Sequence, residues 1–384
     1  MRNVMSWIKN FSIVILVSLL SLEGVSFVAT RLNLFLVNET PSLYESGVNT
    51  EYQDIAYGRT EREKWGAWHA SNGVFRHTES CFDVTMSFNE IGARDESFFD
   101  VPSSSLFLLG DSFAEGFGVR REDMSEFLIE KNLNLSILNF GAAGSFGPLQ
   151  QLLIYDEYNE LPHQGLIIYL LPANDFIDND VEFWRAIDQT RYRPYFSSDG
   201  DPLVPYYFSN AVPRDNFIEG DYFSLKEFIK SNFWLSNALR SAIMMMRREA
   251  NFLQTHNDYT HSFYYDATEL QQANLILAYE AILDLASEKN VLFVIIPASN
   301  DIKRYNEDPI PDNYKNSFWY QTLLGFQDRD SQHIEILDLI DYVPTQPQSL
   351  FFECDGHWSP NGNLWAANVI SRFVRDQNLF VISE

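Results

Sequence analysis

Residues 106–116 read Leu-Phe-Leu-Leu-Gly-Asp-Ser-Phe-Ala-Glu-Gly, and they decide how this chain can fold. The four apolar residues predict a strand buried on both faces, and the Gly-Asp-Ser that follows favours a sharp turn into a helix. Such a turn presents the hydroxyl of Ser112 at the end of a parallel sheet, where a base can activate it. A turn without chemical function explains the same three residues, so the rest of the chain has to separate the two interpretations.

From residue 105 onward, predicted strands and helices alternate. Strands are predicted at 105–109, 135–140, 165–171, 291–296 and 334–337, and helices at 124–131 and 149–158. A further helix is predicted after the capping-box spacing of Asp266 and Glu269. The last helix has Ser359 as its N-cap and Pro360 as its first residue, with Leu364, Ala367 and Ile370 facing inward. This alternation predicts an α/β fold with a doubly wound, mostly parallel sheet.

Residues 101–384 therefore form the predicted main domain, interrupted by an insertion at about 176–265. Within the insertion, the Asp-Gly turn at 199–200 lies between short aromatic and aliphatic runs and predicts a hairpin. A helical stretch follows at about 225–248. The insertion is either a lid beside the ligand crevice or a small subcore. Residues 31–100 are interpreted as a stalk and a first layer of the globular domain.

The N-terminus predicts a membrane span. Residues 11–30 are predominantly apolar and long enough for one crossing, and Glu23 is their one charged residue. Arg2 and Lys9 precede the span and favour a cytoplasmic segment 1–10, which leaves the main domain on the extracytoplasmic side, periplasmic or extracellular. A cleaved signal peptide with its apolar region at 11–22 is the alternative, and a retained signal anchor is preferred because no small-x-small cleavage site follows.

The composition excludes several classes of partner. The 384 residues carry 27 basic and 53 acidic side chains, and the net charge of −26 repels phosphate backbones, so no nucleic-acid binding is expected. Cys81 and Cys354 form either one bridge in an oxidising compartment or two free thiols. No metal-ligand spacing and no glycine-rich phosphate loop occur, so neither a metal nor another cofactor is predicted.

Four separate segments follow predicted core elements and carry polar or glycine residues. They are 110–112, 139–144, 171–175 and 355–360. The first three open on the same edge of a parallel sheet, so their residues are expected to converge. The histidine of the last segment, His357, has an aspartate two residues before it, whereas the other histidines, among them His69 and His77, lack a nearby carboxylate and a matching motif.

In this order, the four segments resemble the blocks of the SGNH (or GDSL) hydrolase superfamily, over about residues 105–175 and 350–370. The resemblance implies a flavodoxin-like fold and a serine esterase. It implies Ser112 as nucleophile, His357 as base and Asp355 as the carboxylate that orients the base. The oxyanion hole would comprise the backbone N–H of Ser112, Gly144 and the amide of Asn174. These residue types suit the implied roles. A serine hydroxyl becomes a good nucleophile when a neutral imidazole takes its proton, and a tetrahedral oxyanion is stabilised by hydrogen-bond donors that already point at it.

One departure concerns the last block. The superfamily commonly has Asp-x-x-His, whereas this chain has Asp355-Gly356-His357 followed by Trp358, which resembles polysaccharide O-acetyltransferases of the alginate-acetylating type. Glu353 or a backbone carbonyl could orient the imidazole instead of Asp355. The leading function is an anchored esterase that removes O-acyl groups, with acetyl as the expected group, from an envelope or extracellular glycan or another small acyl ester. Acyl transfer to a polysaccharide and a catalytically silent glycan-binding or assembly protein are the alternatives.

Overall fold

A computed structural model describes residues 2–31, 64–187, 193–197, 201–209 and 261–382, except positions 67, 70, 80 and 145, together with part of 233–246. The stalk predicted at the start of 31–100 falls mostly on 32–63, outside the described residues. The predicted turn at 199–200 and the first part of the helical stretch predicted from 225 also lie outside them.

The core is a sheet of five parallel strands, which are β3 (Leu106–Leu109), β4 (Ile137–Asn139), β5 (Gly165–Leu170), β6 (Asn290–Ile295) and β7 (Ile334–Asp338). Their spatial order is β4-β3-β5-β6-β7. Counted along the chain within this sheet, the order is the flavodoxin-like 2-1-3-4-5, whose switch point lies between β3 and β5. The predicted α/β fold and parallel sheet are confirmed, and Ser112 follows the strand at the switch point.

Helices cover both faces of the sheet because the strand side chains alternate between the two faces. Phe107 and Leu109 belong to one apolar cluster, and Leu106 and Leu108 belong to the other. The helices are α2 (Ser112–Glu115), α3 (Ser125–Leu133), α4 (Pro148–Tyr158), α5 (Pro172–Asp178), α6 (Val181–Ile187), α7 (Phe263–Asp266), α8 (Glu269–Leu285), α9 (Ser299–Glu307), α10 (Phe318–Phe326) and α11 (Pro360–Gln377). The first cluster includes side chains of α4, α8 and α10, and the second includes side chains of α3 and α11.

The caps of two helices test the local predictions. At α11, Ser359 is the N-cap, its hydroxyl accepts from Gly362 N, and Pro360 is the first helical residue, as predicted. Ala367 and Ile370 are buried, but Leu364 is 46% exposed, so its predicted inward position is wrong.

At α8 the capping box is formed by Thr268 and Gln271 rather than by Asp266 and Glu269. The carboxylate of Asp266 instead accepts a hydrogen bond from Ser262 N, so it stabilises the preceding helix.

An antiparallel hairpin, β1 (Val74–Glu79) and β2 (Phe82–Ser87), lies before the sheet. Phe82, Val84 and Met86 alternate with exposed residues and are buried. In the insertion, Tyr195 and Tyr206 pair across an antiparallel bridge, which supports the predicted hairpin. A disulfide joins Cys81 to Cys354 over a Cα–Cα distance of 5.7 Å, which answers the question that the sequence left open.

The first helix, α1 (Arg2–Arg31), contains an apolar span of 21 residues, Lys9–Ala29, most of whose side chains are exposed. Its length and composition suit a membrane span and equally a signal sequence.

Candidate active site

Ser112 is the first residue of α2, directly after the turn that ends β3. Asp111 caps this short helix, because its carboxylate accepts a hydrogen bond from Phe113 N at 2.9 Å. The turn requires glycine at 110, since a Cβ there would lie 2.7 Å from Ala114 Cβ and 2.9 Å from Tyr169 Cβ. The Ser112 side chain is therefore held at a fixed place on the carboxyl edge of the sheet, only 5% exposed.

His357 reaches Ser112 from the far end of the chain. Its Nε2 lies 2.7 Å from Ser112 Oγ, over a sequence separation of 245 residues. The loop that carries it is closed by an antiparallel bridge between Phe351 and Trp358 and by a hydrogen bond from Phe352 N to the His357 carbonyl. Trp358 is buried and meets Phe113 edge-on at 4.9 Å, which seats the loop against α2.

Asp355 completes a row of three polar side chains. Its Oδ1 contacts His357 Nδ1 and also accepts the backbone N–H of His357 at 2.9 Å. With Nδ1 donating to the carboxylate, Nε2 is left as the acceptor that faces the serine hydroxyl. The two-residue spacing thus forms a local ring in which Asp355 orients the imidazole, while Glu353, the alternative carboxylate, is exposed.

The electrostatics of the pair favour an ion pair when the histidine is protonated. Burial raises the pKa of Asp355, but the charge of His357 and its two hydrogen bonds outweigh burial and lower the pKa to about 2. Burial lowers the pKa of His357, and the Asp355 charge together with their hydrogen bond outweighs this and raises it above 6.5. This placement suits Asp355 to stabilise a protonated His357.

Aromatic rings and the disulfide fix the base from the other side. The His357 ring stacks on Phe117 with ring centroids 4.2 Å apart, and Phe117 in turn meets His77 of the hairpin at 4.4 Å. The Cys81–Cys354 bridge joins the hairpin turn to the residue immediately before Asp355. The hairpin is thereby part of the support of the base, a role that local sequence patterns did not reveal.

Asn174 and Gly144 lie on the loops that follow the two strands flanking β3. Asn174 is in the first turn of α5, and its Nδ2 donates to Asp111 Oδ2 at 3.1 Å, which places it beside Ser112. An amide nitrogen has two hydrogens, so this bond leaves one for an acyl oxygen. Gly144 adopts φ +89°, a backbone conformation that favours glycine. Asp111 orients the Asn174 amide, and burial raises the Asp111 pKa to about 6.

A buried carboxylate that the sequence analysis missed holds the Gly144 loop. Glu115 Oε2 accepts the backbone N–H of Ala143 at 2.7 Å, and its Oε1 lies 2.9 Å from His69 Nε2. The prediction that His69 has no carboxylate nearby is therefore wrong, since α2 brings one to it. The loop also packs closely on α2, because a Cβ at Gly141 would lie 2.5 Å from Glu115 N.

Two buried arginines support the same loops. Arg94 donates to the carbonyls of Glu115, Gly116 and Val119, which come shortly after Ser112. Arg193, from the insertion, pairs with Asp178 at 3.1 Å and reaches the Gly144 carbonyl at 3.4 Å. The insertion therefore touches the loop that carries Gly144, although its sequence gave no sign of this contact.

Comparison with known proteins adds little to this geometry. No protein-family model matches the chain, and no curated protein matches it. Similar solved structures include a protein described as lipolytic, of the G-D-S-L family, from Desulfitobacterium hafniense, at 10% identity and a TM-score of 0.32, covering 70% of this chain and 98% of that one. A salicylyl-acyltransferase from a tetracycline biosynthetic pathway matches at 12% identity and TM-score 0.36, over 80% of this chain and 61% of that one. A lipase/acylhydrolase from Enterococcus faecalis matches at 12% identity and a TM-score of 0.37, over 73% of this chain and 98% of that one.

These solved neighbours are thus ester-acting and acyl-transferring proteins, but their TM-scores are low. The fold rests on the strand order, and the chemistry rests on the contacts of Ser112, His357 and Asp355.

A groove of about 490 Å³ lies beside the loop that carries the base. One wall is α9, and the other is the segment that leads into Asp355. Its lining combines the apolar side chains Ile302, Phe351 and Phe352 with the polar side chains Lys303, Asn306 and Glu353. The groove is lined in part by residues that come shortly before Asp355 and His357 in the chain, and Ser112, Asn174 and His357 are not among its lining residues.

Proposed function

We propose that this protein is a serine esterase that removes O-acyl groups. The observation that carries the proposal is the 2.7 Å contact between Ser112 Oγ and His357 Nε2, with Asp355 on the other imidazole nitrogen. Ser112 Oγ attacks the ester carbonyl as its proton passes to Nε2, and the tetrahedral oxyanion accepts from Asn174, Gly144 and the Ser112 backbone. The C–O bond to the alcohol breaks, Nε2 returns the proton to the alcohol, and water then releases the acyl group by the same route.

The test is hydrolysis of a chromogenic acetyl ester by the full chain in detergent. Ser112→Ala should abolish turnover and covalent labelling by a fluorophosphonate probe, while Ser349→Ala, at an exposed serine outside the site, should change neither. Turnover that persists in Ser112→Ala contradicts the proposal. A native protein that the probe fails to label would instead favour a silent binding protein.

The substrate class that the groove favours is an acylated glycan. A sugar ring has apolar C–H faces and a rim of hydroxyl groups, which suits aromatic walls next to amide and charged side chains. Asn306 lines the groove and is exposed on α9. Asn306→Trp should raise KM for an acetylated oligosaccharide several-fold and leave KM for the small ester unchanged. An equal change for both substrates, or for neither, counts against the glycan assignment.

Acyl transfer to a polysaccharide hydroxyl is the second candidate. It is favoured by the Asp-Gly-His-Trp block, by the aromatic rings of Phe113 and Phe117 against His357, and by the burial of Ser112, which together disfavour attack by water. Incubation with an acyl donor and a glycan acceptor, followed by mass spectrometry, separates the two reactions. Free acid without an acylated acceptor supports hydrolysis.

We also propose that the domain lies outside the cytoplasm on a retained anchor. The Cys81–Cys354 bridge supports this location, since such bridges persist in oxidising compartments. Protease added to intact cells stripped of the cell wall or outer membrane should digest residues 101–384. Protection of these residues from the protease would contradict an extracytoplasmic location.

A further inference from the structure

A carboxylate inside the apolar span has its hydrogen-bond partners in the insertion. Glu23 Oε1 accepts from Trp234 N at 2.7 Å, and its Oε2 accepts from Leu235 N at 2.9 Å. Residues 234–236 are helical, so these two N–H groups belong to the kind of donors that a helix start leaves unsatisfied. A carboxylate and orphan N–H groups are each costly in an apolar environment, and this contact removes both costs together.

The contact involves one face of α1 near its carboxyl end. Ser26 and Ala29 are buried there, whereas the large apolar side chains of the span are exposed. Phe27 meets Trp234 edge-on with ring centroids 5.5 Å apart, and Trp234 itself is buried. Small residues on this face let the segment of the insertion approach α1 closely.

The same segment of the insertion presents an apolar stripe. Leu239, Ile243 and Met246 are 57%, 45% and 62% exposed. Their spacing of four and three residues places them on one face of a helix, and the described residues at 238–239, 242–243 and 246 are helical. A segment that buries Trp234 against α1 therefore exposes large apolar side chains along another face.

The charge of this stretch is opposite to that of the chain. Residues 228–248 contain Lys230, Arg240, Arg247 and Arg248 and no Asp or Glu, while the whole chain has a net charge of −26. Basic side chains combined with an apolar helical stripe are typical of helices that lie in the interface of an anionic membrane.

The position of Glu23 along α1 places its contact with Trp234 near the membrane interface. Glu23 precedes the end of the apolar span, Ala29, by six residues, or about 9 Å along a helix. Interfacial helices are buried about 5–10 Å into the boundary between headgroups and acyl chains. A segment attached at Glu23 thus lies at the level where its apolar stripe can enter the lipid.

We propose that the insertion binds the bilayer beside a retained α1 through its described residues Leu239, Ile243 and Met246, with an anionic lipid surface as the partner and Glu23 as the attachment point. The insertion is then a second membrane contact of the protein. This role is independent of the reaction at Ser112.

The experiment uses the full chain in lipid nanodiscs, with and without anionic phosphatidylglycerol. Because the only two cysteines are bonded to each other, an introduced cysteine is a unique labelling site. Leu239→Cys and Ile243→Cys carry a nitroxide, and collision rates are measured with oxygen and with a water-soluble nickel chelate. Leu270→Cys, at an exposed leucine on α8, is the matched control.

The ratio of oxygen to nickel collisions should be higher at 239 and 243 than at 270, and it should fall when the anionic lipid is omitted. A ratio at 239 equal to that at 270 overturns the proposal. Low collision rates with both reagents also overturn it, because they place the stripe in a protein interface. A ratio that does not respond to lipid charge overturns the anionic surface as partner.

Two further measurements test the attachment. Glu23→Ala should shift the label at 239 toward the aqueous ratio, whereas Ser21→Ala, at an exposed α1 residue, should not. The intact mass of the protein from membranes should include α1. Loss of α1 from the mature protein, or a label that is insensitive to Glu23→Ala, overturns the role of Glu23.

Discussion

At His357, burial and charge act on the imidazole in opposite directions. Burial disfavours the charged form, and the Asp355 carboxylate favours it strongly enough to raise the pKa above 6.5. In the proposed mechanism His357 accepts a proton and must be neutral beforehand, so esterase activity should rise with pH with a midpoint above 6.5. Asp355, with a pKa of about 2, is ionised throughout this range.

Asp355→Asn removes the charge and leaves the burial. The acid limb of kcat/KM should move to lower pH, and kcat should fall by about 1,000-fold or more because the tautomer is no longer fixed. Esterase assays across pH measure both effects. Asp376→Asn, the same change at an exposed residue near the end of α11, is the control and should leave the profile unchanged. If the acid limb of kcat/KM stays at the same pH in Asp355→Asn, Asp355 is not the group that orients His357.

Glu115 acts through the backbone it holds. Glu115→Gln keeps the shape and one acceptor but weakens the hold on Ala143 N and His69. We expect kcat to fall roughly tenfold to 100-fold with little change in KM, since loss of a whole oxyanion donor costs about 100- to 1,000-fold. The rate of fluorophosphonate labelling should fall in parallel. Glu122→Gln, at an exposed residue, should change neither rate, and a rise in KM alone would contradict the positioning role.

At the level of elements, the hairpin and the loop of the base form one unit. The Cys81–Cys354 bridge closes a loop with a sequence separation of 273 residues, and it ends next to Asp355. Phe82 of β2 meets Phe352 of that loop at 5.0 Å, so the bridge is accompanied by apolar packing. The position of the loop that carries His357 therefore depends on an element that precedes the sheet.

Replacing both cysteines by serine should lower the free energy of unfolding by about 2–5 kcal/mol. Esterase activity at a temperature well below unfolding should also fall, since the loop before Asp355 loses its tether. Denaturation in urea and ester turnover provide the measurements. A reductant should reproduce both effects in the native protein and have none in the double variant. Equal stability of the two proteins would show that packing alone holds the loop.

The whole molecule buries several carboxyl groups whose pKa values lie above the ordinary value. Burial raises the pKa of Asp95 and Asp338 to about 7, and that of Asp111 and Asp301 to about 6. Each of these groups binds its proton more tightly in the folded state than in the unfolded state. Their contribution to stability is therefore present at low pH and is lost as pH rises from about 4 to about 7.

The free energy of unfolding should consequently be larger at about pH 5 than at about pH 8, by about 2 kcal/mol or more. Urea denaturation of the full chain in detergent at the two pH values measures it. Asp95→Asn keeps an acceptor for Asn139 N but cannot titrate, so it should reduce the difference. Greater stability at the higher pH would contradict the expectation.

Much of the fold follows from local patterns. The apolar runs predicted every strand of the main sheet to within two residues at either end, because burial on both faces demands continuous apolar sequence. The N-cap at Ser359 was also predicted from the sequence, because capping depends only on residues within one helical turn. Thr268 and Asp266 were both possible N-caps of α8, and only the hydrogen bonds of the folded helix identify Thr268 as the cap. The packing of α11 determines which of its faces is buried, and it leaves Leu364 exposed.

The sequence by itself determined the parallel sheet and the residue types at its carboxyl edge, including Ser112, Asn174, Asp355 and His357. Only the tertiary structure decided which side chains meet. Asn174 with Asp111, Glu115 with Ala143 and His69, Cys81 with Cys354, and Glu23 with Trp234 are pairs separated by 28 to 273 residues. Local periodicity reports which face a residue occupies, whereas a long-range partner depends on how whole elements pack, and that information is spread over the entire core.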